Sequence, residues 1–411
     1  MKKSVTALAL SFGLISAGAA QSALSVASFN MGWWMSQAQN AQVLEQCSQP
    51  SRQWCDTRFA DTWPRVNGQP TCEATAPGIA PCNAFAVYDS GLGSRATATT
   101  APLQVPTAAF FASRQRAMAS TLRRLDADVL ALQEISGVQA AREALGNLAN
   151  QYQFCESESP TPMAQKLVFA WRANILGSCK TDFGIAVDDE PGADGVVRKL
   201  RPSLVATLSV NGKPISFVNL HLKSGCASPA GDGIYTYQGD YLDSDRPACK
   251  TLRRQTPALE TMMKSLSANG ALAVVLGDFN RKLDMELNFR AGHPRAVDGR
   301  CGVPLKRDEK PVSAAGIATP ADKVCLMWPE INDDPNTGPG TTNYTLLRQF
   351  ARKEGEHCAR NHGLDHITVS QGLRQALVFV PQVEEVDMAT FGQNKEQASD
   401  HCPLRTVLKF R

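Results

Sequence analysis

Polar side chains follow several short apolar runs of this sequence, at the points where each run ends. Residues 276–280 read Leu-Gly-Asp-Phe-Asn after the apolar run 273–275, so a carboxylate (Asp278) and an amide (Asn280) stand where a buried strand leaves its sheet. The same change from apolar to polar occurs at five further places, which are Asn30, Glu134, His221, Asp365 and the pair Asp400 and His401. One such change is an ordinary turn, but six of them predict a single shared site.

The residues at these positions form a consistent chemical set of four carboxylates, two amides and two imidazoles. Carboxylate and amide oxygens are ligands of hard cations, so the set favours Mg²⁺, Mn²⁺ or Ca²⁺ over zinc, which prefers more histidine or cysteine. A neutral imidazole beside a carboxylate transfers protons, while amides and imidazolium donate hydrogen bonds to a negatively charged transition state. Together these groups suit metal-assisted attack of water on a phosphate ester.

Each of these residues also has an ordinary structural explanation. His221 lies in an apolar run, where a hydrogen-bonded structural histidine is common. Glu134 at the end of a strand is either a surface carboxylate or a helix cap. Asp365 shares a strand face with Ile367 and Val369, so it points toward the core, where it either caps backbone groups or pairs with a histidine.

The length and the N-terminal residues bound the organisation of the chain. It has 411 residues, of which 43% are hydrophobic and 20% charged, enough for one large domain with insertions. Lys2 and Lys3 precede an apolar run at 5–15 and small residues at 17–20, a pattern typical of a bacterial signal peptide over residues 1–20. No later stretch reaches the roughly 20 apolar residues of a membrane helix. We therefore expect an exported protein, periplasmic or extracellular, in which residues 21–411 form a single soluble domain.

Net charge and cysteine content further limit the kinds of partner and of metal site that we expect. The chain has 42 basic and 39 acidic residues, two of the basic ones in the leader, so the net charge does not indicate a polyanionic partner. All 12 cysteines follow the leader, and an even number in an exported chain favours disulfides over a thiolate metal site. Pairing each cysteine with its neighbour in the sequence predicts six bridges, namely Cys47–Cys55, Cys72–Cys82, Cys155–Cys179, Cys226–Cys249, Cys301–Cys325 and Cys358–Cys402.

Hydrophobic periodicity predicts the elements that carry the polar residues. Strands are predicted at 24–30, 128–134, 166–171, 183–187, 203–210, 215–222, 273–276, 364–370 and 403–410, with a tight turn at Asn211-Gly212. Helices are predicted from Ser113 to about Asp126, at about 138–148 and at about 251–267. The regions at about 36–107, 224–250 and 285–345 lack periodicity, which predicts insertions within one domain. This order of elements favours two packed sheets with helices outside.

Six motifs, taken in order and spacing, resemble those of the endonuclease/exonuclease/phosphatase superfamily, which has the deoxyribonuclease I-like fold. They are Ser28-Phe29-Asn30, Gln133-Glu134, Asn219-Leu220-His221-Leu222-Lys223-Ser224, Gly277-Asp278-Phe279-Asn280, Leu364-Asp365-His366-Ile367 and Ser399-Asp400-His401-Cys402-Pro403. The resemblance covers nearly the whole chain after the leader, apart from the insertions. It implies an α/β (α+β) fold, a four-layered α/β/β/α sandwich of two mixed β-sheets with disulfide-stapled insertions.

The resemblance also implies which residues bind the metal and the phosphate. Glu134 would hold a divalent cation, Mg²⁺ or alternatively Mn²⁺ or Ca²⁺, with help from Asn30, and Asp400 would lie on the metal side. Asn280 and His221 would bind the scissile phosphate. These assignments describe a metal-dependent phosphoric ester hydrolase.

Two alternatives for the general base stay open under the same resemblance. Asp278 would position or deprotonate the attacking water, whereas His401, oriented by Asp365, would act as acid or base or donate to the phosphate. The further acidic residue or arginine that many members carry near the first two motifs is absent here. The residues that we name instead as candidate substrate-binding groups are Lys223, Arg281, Arg253 and Trp33.

The reaction type follows from the motifs, but the substrate does not. The leading interpretation is an exported nuclease that hydrolyses phosphodiester bonds of DNA or RNA, so that nucleic acid is the expected partner. The sequences around His221 and Asp278 resemble those of DNA nucleases, and Trp33-Trp34 supplies aromatic rings of the kind that stack on bases. Arginines on one predicted helix add positive charge, and these are Arg114, Arg116, Arg123 and Arg124.

Two other classes of function remain. The first is a phosphodiesterase or phosphatase that acts on lipid headgroups or small phosphorylated molecules, with Trp33-Trp34-Met35 in contact with a membrane surface. The second is a non-catalytic binding protein with the same fold. It is disfavoured because every polar strand end keeps its chemical type. Oligomeric state is not indicated by any pattern in the sequence.

Overall fold

The computed structural model describes residues 23–47, 65–66, 69–70, 78–80, 84, 106–159, 163–191, 197–226, 242, 246–284, 286, 327–332, 344–347, 363–392 and 396–411. The strands are β1 (Ala23–Trp34), β2 (Arg65–Val66), β3 (Gln69–Pro70), β4 (Val129–Ile135), β5 (Tyr152–Glu156), β6 (Lys166–Arg172), β7 (Gly177–Asp182), β8 (Ser203–Val210), β9 (Lys213–His221), β10 (Leu272–Asp278), β11 (Tyr344–Leu346), β12 (Asp365–Ser370), β13 (Val383–Glu385), β14 (Thr390–Phe391), β15 (Glu396–Gln397) and β16 (Leu404–Lys409). The helices are α1 (Gln37–Cys47), α2 (Ala108–Leu125), α3 (Val138–Leu145), α4 (Pro247–Ser267), α5 (Met327–Ile331) and α6 (Gln371–Ala376), and 3₁₀ turns follow α3 and α4 at Gly146–Gln151 and Ala268–Gly270.

Two mixed sheets of six strands each occupy the middle of the fold. The first sheet has the strand order β13-β16-β1-β4-β6-β5, and the second has the order β11-β12-β10-β9-β8-β7. In the first sheet β1 runs parallel to β4 and antiparallel to β16, and in the second β10 runs parallel to β9 and antiparallel to β12. The chain thus enters the second sheet at β7 and returns to the first for β13 and β16. As a result, Ala23 pairs with Lys409.

Three apolar cores separate four layers. One core lies between the two sheets and includes Leu24 and Phe217. A second joins the outer face of the first sheet to α2 and α3 and includes Met118, and a third joins the second sheet to α4 and α5 and includes Leu259. This order of helices, sheet, sheet and helices confirms the predicted four-layered sandwich.

The sheet faces that meet inside the sandwich change from apolar to polar along their central strands. On β1, Leu24 and Val26 belong to the core between the sheets, while Ser28 and Asn30, next on the same face, are polar and buried. Buried polar residues at the same end of β4, β9, β10 and β12 are Gln133, Asn219, His221, Asp278 and Asp365. One end of the sandwich is therefore lined by polar side chains from both sheets.

The structure corrects several of the predicted boundaries. α2 begins at Ala108 rather than Ser113, because the hydroxyl of Thr107 caps the helix by accepting a main-chain hydrogen bond. The predicted strand at 183–187 is a turn, and the edge strand β7 precedes it with a sequence too polar to show an apolar pattern. The predicted hairpin turn at 211–212 is confirmed, since both of its residues have positive φ, as a type I′ turn requires.

The predicted insertions fall largely outside the described residues. Within the first of them the structure places α1, which the sequence did not predict. Part of the second belongs to α4, which begins at Pro247 because proline suits the first turn of a helix. None of the helices among the described residues has the length and apolarity needed to cross a membrane.

Two of the six predicted disulfides lie within the described residues, and both are confirmed, as Cys155–Cys179 and Cys226–Cys249. Cys47 and Cys402 are disulfide-bonded as well, but their predicted partners and the two remaining predicted pairs lie outside the described residues. The Cys155–Cys179 bridge joins β5 at the edge of the first sheet to β7 at the edge of the second. It therefore links the two sheets covalently.

Replacing Cys155 and Cys179 together by serine is expected to lower the free energy of unfolding by about 3 kcal/mol, because the bridge closes a long loop in the unfolded chain. Denaturant unfolding measures this loss. The matched control is the double replacement of Cys226 and Cys249, whose sequence separation of 23 residues is close to the 24 of the inter-sheet bridge. Both variants should lose similar stability, and an unchanged unfolding midpoint for the first would contradict the prediction.

Candidate active site

The polar end of the sandwich brings together groups from both sheets. The first sheet contributes Asn30 from the second half of β1 and Glu134 from the end of β4, and the segment before β16 carries Asp400 and His401. The second sheet and its connecting segments contribute His221, Asp278, Asn280 and Asp365. Contacts between these residues join positions up to 248 residues apart in the sequence. The structure therefore gathers the predicted residues in one place.

Asp278 lies at the centre of this group and is 1% exposed. Its Oδ2 accepts a hydrogen bond from Asn30 Nδ2 at 3.0 Å and lies 3.5 Å from His221 Nε2 and 3.8 Å from His401 Nε2. Its Oδ1 accepts a hydrogen bond from the main-chain amide of Asn280 at 2.7 Å. Burial raises the pKa of Asp278 to about 6, against the opposing effect of His401. A carboxylate with this pKa exchanges a proton near neutral pH.

Gly277 makes the position of Asp278 possible. Its φ of +136° is one that side-chain-bearing residues rarely adopt, and a Cβ here would overlap the main chain of Leu220 on β9. Any larger residue would push β10 away from β9. The glycine therefore lets two strands that both carry site residues pack closely side by side.

Glu134 reaches the site through a local departure from strand geometry. Strict alternation would place it on the helix side of β4 with Leu130 and Leu132, but the β4–β6 register shifts after Leu132, and Glu134 has a φ of +50°. Its Oε1 lies 3.5 Å from His221 Nε2, and its Oε2 accepts a hydrogen bond from the Trp33 amide at 3.2 Å. The backbone irregularity therefore turns this carboxylate into the space between the sheets.

A divalent cation fits the donor atoms on the metal side. One oxygen each of Glu134 and Asp278 and one ring nitrogen of His221 lie within 4.8 Å of one another. Burial, followed by the negative charge of Asp400, raises the pKa of Glu134, so a cation would offset a repulsion that already exists. With the amide of Asn30 beside them, these oxygen-rich donors suit a hard metal ion. When bound, the ion would polarise a phosphate oxygen and acidify water.

His401 and Asp365 form a separate pair within the site. His401 Nδ1 lies 2.6 Å from Asp365 Oδ2, and both side chains are nearly fully buried. Burial alone would lower the pKa of His401, but the carboxylates of Asp365 and Asp278 outweigh it and hold that pKa well above its usual range. The imidazole is thus protonated at neutral pH, so its Nδ1 donates to Asp365. Its Nε2 is directed toward Asp278 and is free to donate to a substrate oxygen.

His221, the second imidazole of the site, favours the neutral form, in contrast to His401. Burial, together with the positive charges of Arg201 and His401, holds the pKa of His221 well below its usual range. Its Nδ1 is buried and has no hydrogen-bond partner among the described residues. The site therefore combines one charged and one neutral imidazole, which separates a proton donor from a neutral hydrogen-bonding group.

Backbone conformations of positive φ are concentrated around these groups. Trp33, Glu134 and Asn280 have φ values of +55°, +50° and +53°, in the left-handed region that non-glycine residues seldom occupy. Asn280 Nδ2 also donates to the carbonyl of Leu222 at 3.0 Å, which fixes its side chain. Conformations of this kind cost about 1–3 kcal/mol each and cluster at functional sites.

Arg201 is a site residue that the sequence analysis did not identify. It lies half-buried just before β8, where Glu134 and Asp278 favour its charged form against the burial that lowers its pKa. Its guanidinium donates to Gln165 Oε1 at 2.7 Å, while its Nε is buried without a partner among the described residues. A signal for it existed, because the predicted hairpin puts the start of β8 beside the end of β9, where His221 lies.

Three of the predicted substrate-binding residues lie near the site or are partly exposed, but none has a contact among the described residues that identifies its role. Lys223 is close to the site, but its Nζ lies 2.5 Å from Asp189 Oδ2. Arg253 is half-buried on α4 and pairs with none of the site residues among those described. Trp33 packs partly against the outer core and contacts Glu134 through its main chain. These three roles stay predictions.

The role predicted for Arg281 is wrong. Its side chain is fully buried and forms an ion pair with Glu286, with 2.6 Å between Nη2 and Oε1. Glu286 in turn accepts a hydrogen bond from the Trp328 amide at 2.8 Å, and Arg281 Nη1 donates to the Cys226 carbonyl at 3.2 Å. Because these partners hold it inside the fold, Arg281 supports the segment after Asn280 rather than contacting substrate.

The predicted basic helix face also needs correction. Arg114 is 2% exposed and points into the fold, so it adds nothing to a surface charge. Arg123 and Arg124 lie in the last turn of α2, which leads into the start of β4 and so stands opposite the Glu134 end. Trp34 is buried as well, at 3% exposed, and its Nε1 donates to the Ala140 carbonyl. These three arginines and the ring of Trp34 therefore offer no surface to a substrate at the site.

Comparison with known proteins identifies the family to which the chain belongs. The sequence model described as Endonuclease/Exonuclease/phosphatase family matches residues 104–401, well over half of the chain. No curated protein matches the sequence significantly. Solved structures that match include a humanized D. rerio TDP2, with 13% identity, a TM-score of 0.43 and coverage of 94% of this chain and 98% of that chain.

Two further matches come from other kinds of protein. Mannosyl-6-phosphatase Bt3783 of Bacteroides thetaiotaomicron is 11% identical, with a TM-score of 0.41 and coverage of 94% of this chain and 99% of that chain. The human Nocturnin catalytic domain with bound sulfate is 14% identical, with a TM-score of 0.35 and coverage of 73% of this chain and 87% of that chain.

The range matched by the family model contains all of the predicted site residues except Asn30 and Trp33. Members of the family hydrolyse phosphoric esters with the help of a divalent metal, which agrees with the donor set of Glu134, His221 and Asp278. The chain belongs to the endonuclease/exonuclease/phosphatase family and is a metal-dependent phosphoric ester hydrolase.

Proposed function

We propose that this protein is an exported nuclease that uses a divalent cation, Mg²⁺ as the first choice, to hydrolyse phosphodiester bonds of DNA or RNA. The observation that carries the proposal is the balance of charge around the site. Lys223 is paired with Asp189 and Arg281 with Glu286, so among the described residues Arg201 and protonated His401 are the cations that act on the site carboxylates.

This balance favours a diester over a monoester. A phosphodiester carries one negative charge, whereas a phosphomonoester carries about −1.5 to −2 at pH 7. Four carboxylates already surround the site, and they are Glu134, Asp278, Asp365 and Asp400. With a divalent cation bound, its two charges and those of Arg201 and His401 just balance the four carboxylates, so no positive charge is left over for a doubly charged group. A singly charged group is therefore the better electrostatic match.

Among diesters, nucleic acid is favoured over a lipid headgroup. The lipid alternative placed Trp33-Trp34-Met35 against a membrane surface. Trp34 and Met35 are 3% and 2% exposed, so they are not available for that contact. Nucleic acid needs no such apolar contact, because its phosphates are solvent-exposed along the whole strand.

Each site residue has its own role in the proposed reaction. Asn280 and His221 orient the phosphate, and Arg201 stabilises the negative charge that grows on its oxygens. Asp278 accepts a proton from the attacking water, and His401, held by Asp365, donates one toward the leaving oxygen. Glu134 would hold the metal ion, with help from Asn30 and Asp400.

A substrate panel tests the proposal. Purified protein is incubated with supercoiled plasmid, RNA, sphingomyelin vesicles and a phosphoinositide, each with Mg²⁺, Mn²⁺ or Ca²⁺. We expect nicking of the plasmid that EDTA abolishes and added Mg²⁺ restores. A matched preparation of Asp278→Asn excludes a contaminating nuclease. Headgroup or phosphate release without nicking or RNA cleavage would contradict the nuclease assignment.

Export has a separate test. The leader-like residues 1–20 support it, with Lys2 and Lys3 before an apolar run and small residues at 17–20. Expression of the full chain in a bacterial host should give a periplasmic or secreted protein that begins near residue 21, as N-terminal sequencing would show. Full-length protein retained in the cytoplasm would contradict it.

Replacing Arg201 by methionine is expected to lower kcat/KM about 100-fold, because a preorganised donor in a buried site is lost. Metal affinity should not fall, since the change removes a positive charge near Glu134. Lys199→Met is the matched control, because Lys199 lies two residues earlier in the same segment before β8 but its ion pair with Asp188 is exposed. Equal kcat/KM for the Arg201 variant and the control would refute the role of Arg201.

A further inference from the structure

Arg114 is a buried arginine that contacts two of the segments that form the site. It lies on α2 and is 2% exposed. Its Nε donates to the carbonyl of Ala398 at 2.9 Å, and its Nη2 donates to the carbonyl of Met31 at 2.8 Å and to that of Gly32. Its guanidinium also lies 5.1 Å from the centre of the Trp34 ring. One side chain thus joins the end of β1 to the segment before β16.

The first of these segments, at the end of β1, directs the side chains of Asn30 and Glu134, which would hold the metal ion and form the metal side of the site. Gly32 and Trp33 have φ values of +59° and +55°, so the chain makes a left-handed turn two residues after Asn30. Tryptophan seldom adopts this conformation, so the turn needs support from its surroundings. Within it, the Gly32 amide donates to Asn30 Oδ1 at 3.0 Å, and the Trp33 amide donates to Glu134 Oε2 at 3.2 Å. The carbonyls that Arg114 binds belong to this turn.

The second segment joins His401 to the same turn. Ser399 follows Ala398, and its Oγ donates to the carbonyl of Asn30 at 2.7 Å. The same hydroxyl accepts a hydrogen bond from the His401 amide at 3.1 Å. Because Arg114 fixes the carbonyl of Ala398, it also fixes the start of the segment that carries Ser399 and His401.

We propose that Arg114 is a positioning residue for the metal side of the site. By holding the turn after Asn30 against the segment at 398–401, it sets where Asn30 and Glu134 present their oxygens. Loss of Arg114 therefore weakens metal binding while leaving the binding of substrate to the metal-loaded site nearly unchanged. The inference rests on the proposed function in so far as the site binds a divalent cation. Removal of groups that orient metal ligands typically lowers metal affinity 10–100-fold.

The test compares Arg114→Lys and Arg114→Met with Arg116→Met, an exposed control two residues away on the same helix. Mn²⁺ affinity is measured by electron paramagnetic resonance on proteins whose folding is checked by circular dichroism. We expect the Kd for Mn²⁺ to rise about 10-fold or more in both Arg114 variants and to stay unchanged in the control. Lysine lacks the planar set of N–H donors of a guanidinium, so Arg114→Lys should not restore the affinity for Mn²⁺. At saturating metal, KM for plasmid DNA should stay within about threefold of wild type.

Each other result overturns the inference. A folded Arg114→Lys protein with wild-type Mn²⁺ affinity would show that the guanidinium does not position the metal side. If neither Arg114 variant folds, Ser399→Ala removes one oxygen from the same link and should raise the Kd for Mn²⁺ about 10-fold, and an unchanged value would refute the link. Failure of wild-type protein to bind Mn²⁺ would instead remove the proposed function together with this inference.

Discussion

Replacing Asp278 by asparagine is expected to lower the hydrolysis rate by about 10³-fold or more, because the change removes both a proton acceptor and a metal-side oxygen charge. Asparagine keeps the shape of the side chain and can still accept the hydrogen bond from the Asn280 amide. The loss should appear in kcat at saturating metal, measured on plasmid nicking. A variant that retains more than a tenth of wild-type activity would exclude Asp278 from the reaction.

The same change should stabilise the metal-free protein at alkaline pH. A carboxyl whose pKa is raised from 3.8 to about 6 stabilises the fold below pH 4, and that stability is lost as pH rises through 6. Above pH 7 the buried charge costs about 1–3 kcal/mol, which asparagine avoids. Thermal unfolding with EDTA should therefore show a gain for Asp278→Asn at pH 8 that is absent at pH 4. An equal gain at both pH values would contradict this electrostatic explanation.

The second large effect is expected for Asp365→Asn, which should lower kcat by about 10³–10⁴-fold. Asp365 both orients His401 and keeps it protonated, so the variant should lose the raised pKa of that imidazole. With a lower pKa, His401 is protonated only at more acidic pH, so the residual activity should shift toward lower pH. The pH dependence of kcat and NMR titration of the imidazole measure the two consequences.

Asp128→Asn is the control for that variant. Asp128 is also partly buried and hydrogen-bonded, accepting from the amide and the hydroxyl of Ser25 at 2.8 Å each, but it lies at the other end of β4. It should lose stability without losing kcat at a temperature where it stays folded. If the two variants lose kcat equally, the effect at Asp365 reflects damage to the fold rather than loss of its pairing with His401.

The sequence predicted the ends of strands well because that information is local. Asp278 follows its own apolar run, and Asp365 shares a face with Ile367 and Val369, so each position can be placed without knowing its partners. The structure then supplies what the pattern lacks, namely that β10 and β12 pair in the second sheet while Asn30 and Glu134 lie on strands of the first. The pairing of His401 with Asp365 was expected from the resemblance, and the 2.6 Å distance agrees with it.

The orientation of Glu134 was beyond the reach of a periodic pattern. Alternation along β4 would direct it toward the helices, and only the shifted register and the positive φ turn it into the site. Both depend on long-range pairing with neighbouring strands. No propensity scale anticipates such a conformation at a glutamate, because it is stable only when the surroundings enforce it.

Arg114 and Arg201 differ from Glu134, because the sequence contains a local signal for the position of each of them. Arg114 falls on the same stripe of α2 as Phe111 and Met118, at spacings of three and four residues, so periodicity alone places it on the buried face. Residue type alone groups it with the exposed arginines of the same helix. Arg201 could have been found by counting back from the confirmed hairpin turn at 211–212.

The pairing of β1 with β16 has a consequence for how this protein matures. The residues of β1 emerge early in synthesis, but their partner strand and the imidazole of His401 come more than 360 residues later. Until that late segment arrives, Asn30 has no neighbour from Ser399 and the early half of the reaction centre stays incomplete. Assembly that depends on such distant pairing is slow. A chain that stops before β16 should consequently be inert, so hydrolytic activity begins only after the segment with Ser399, His401 and β16 has been made.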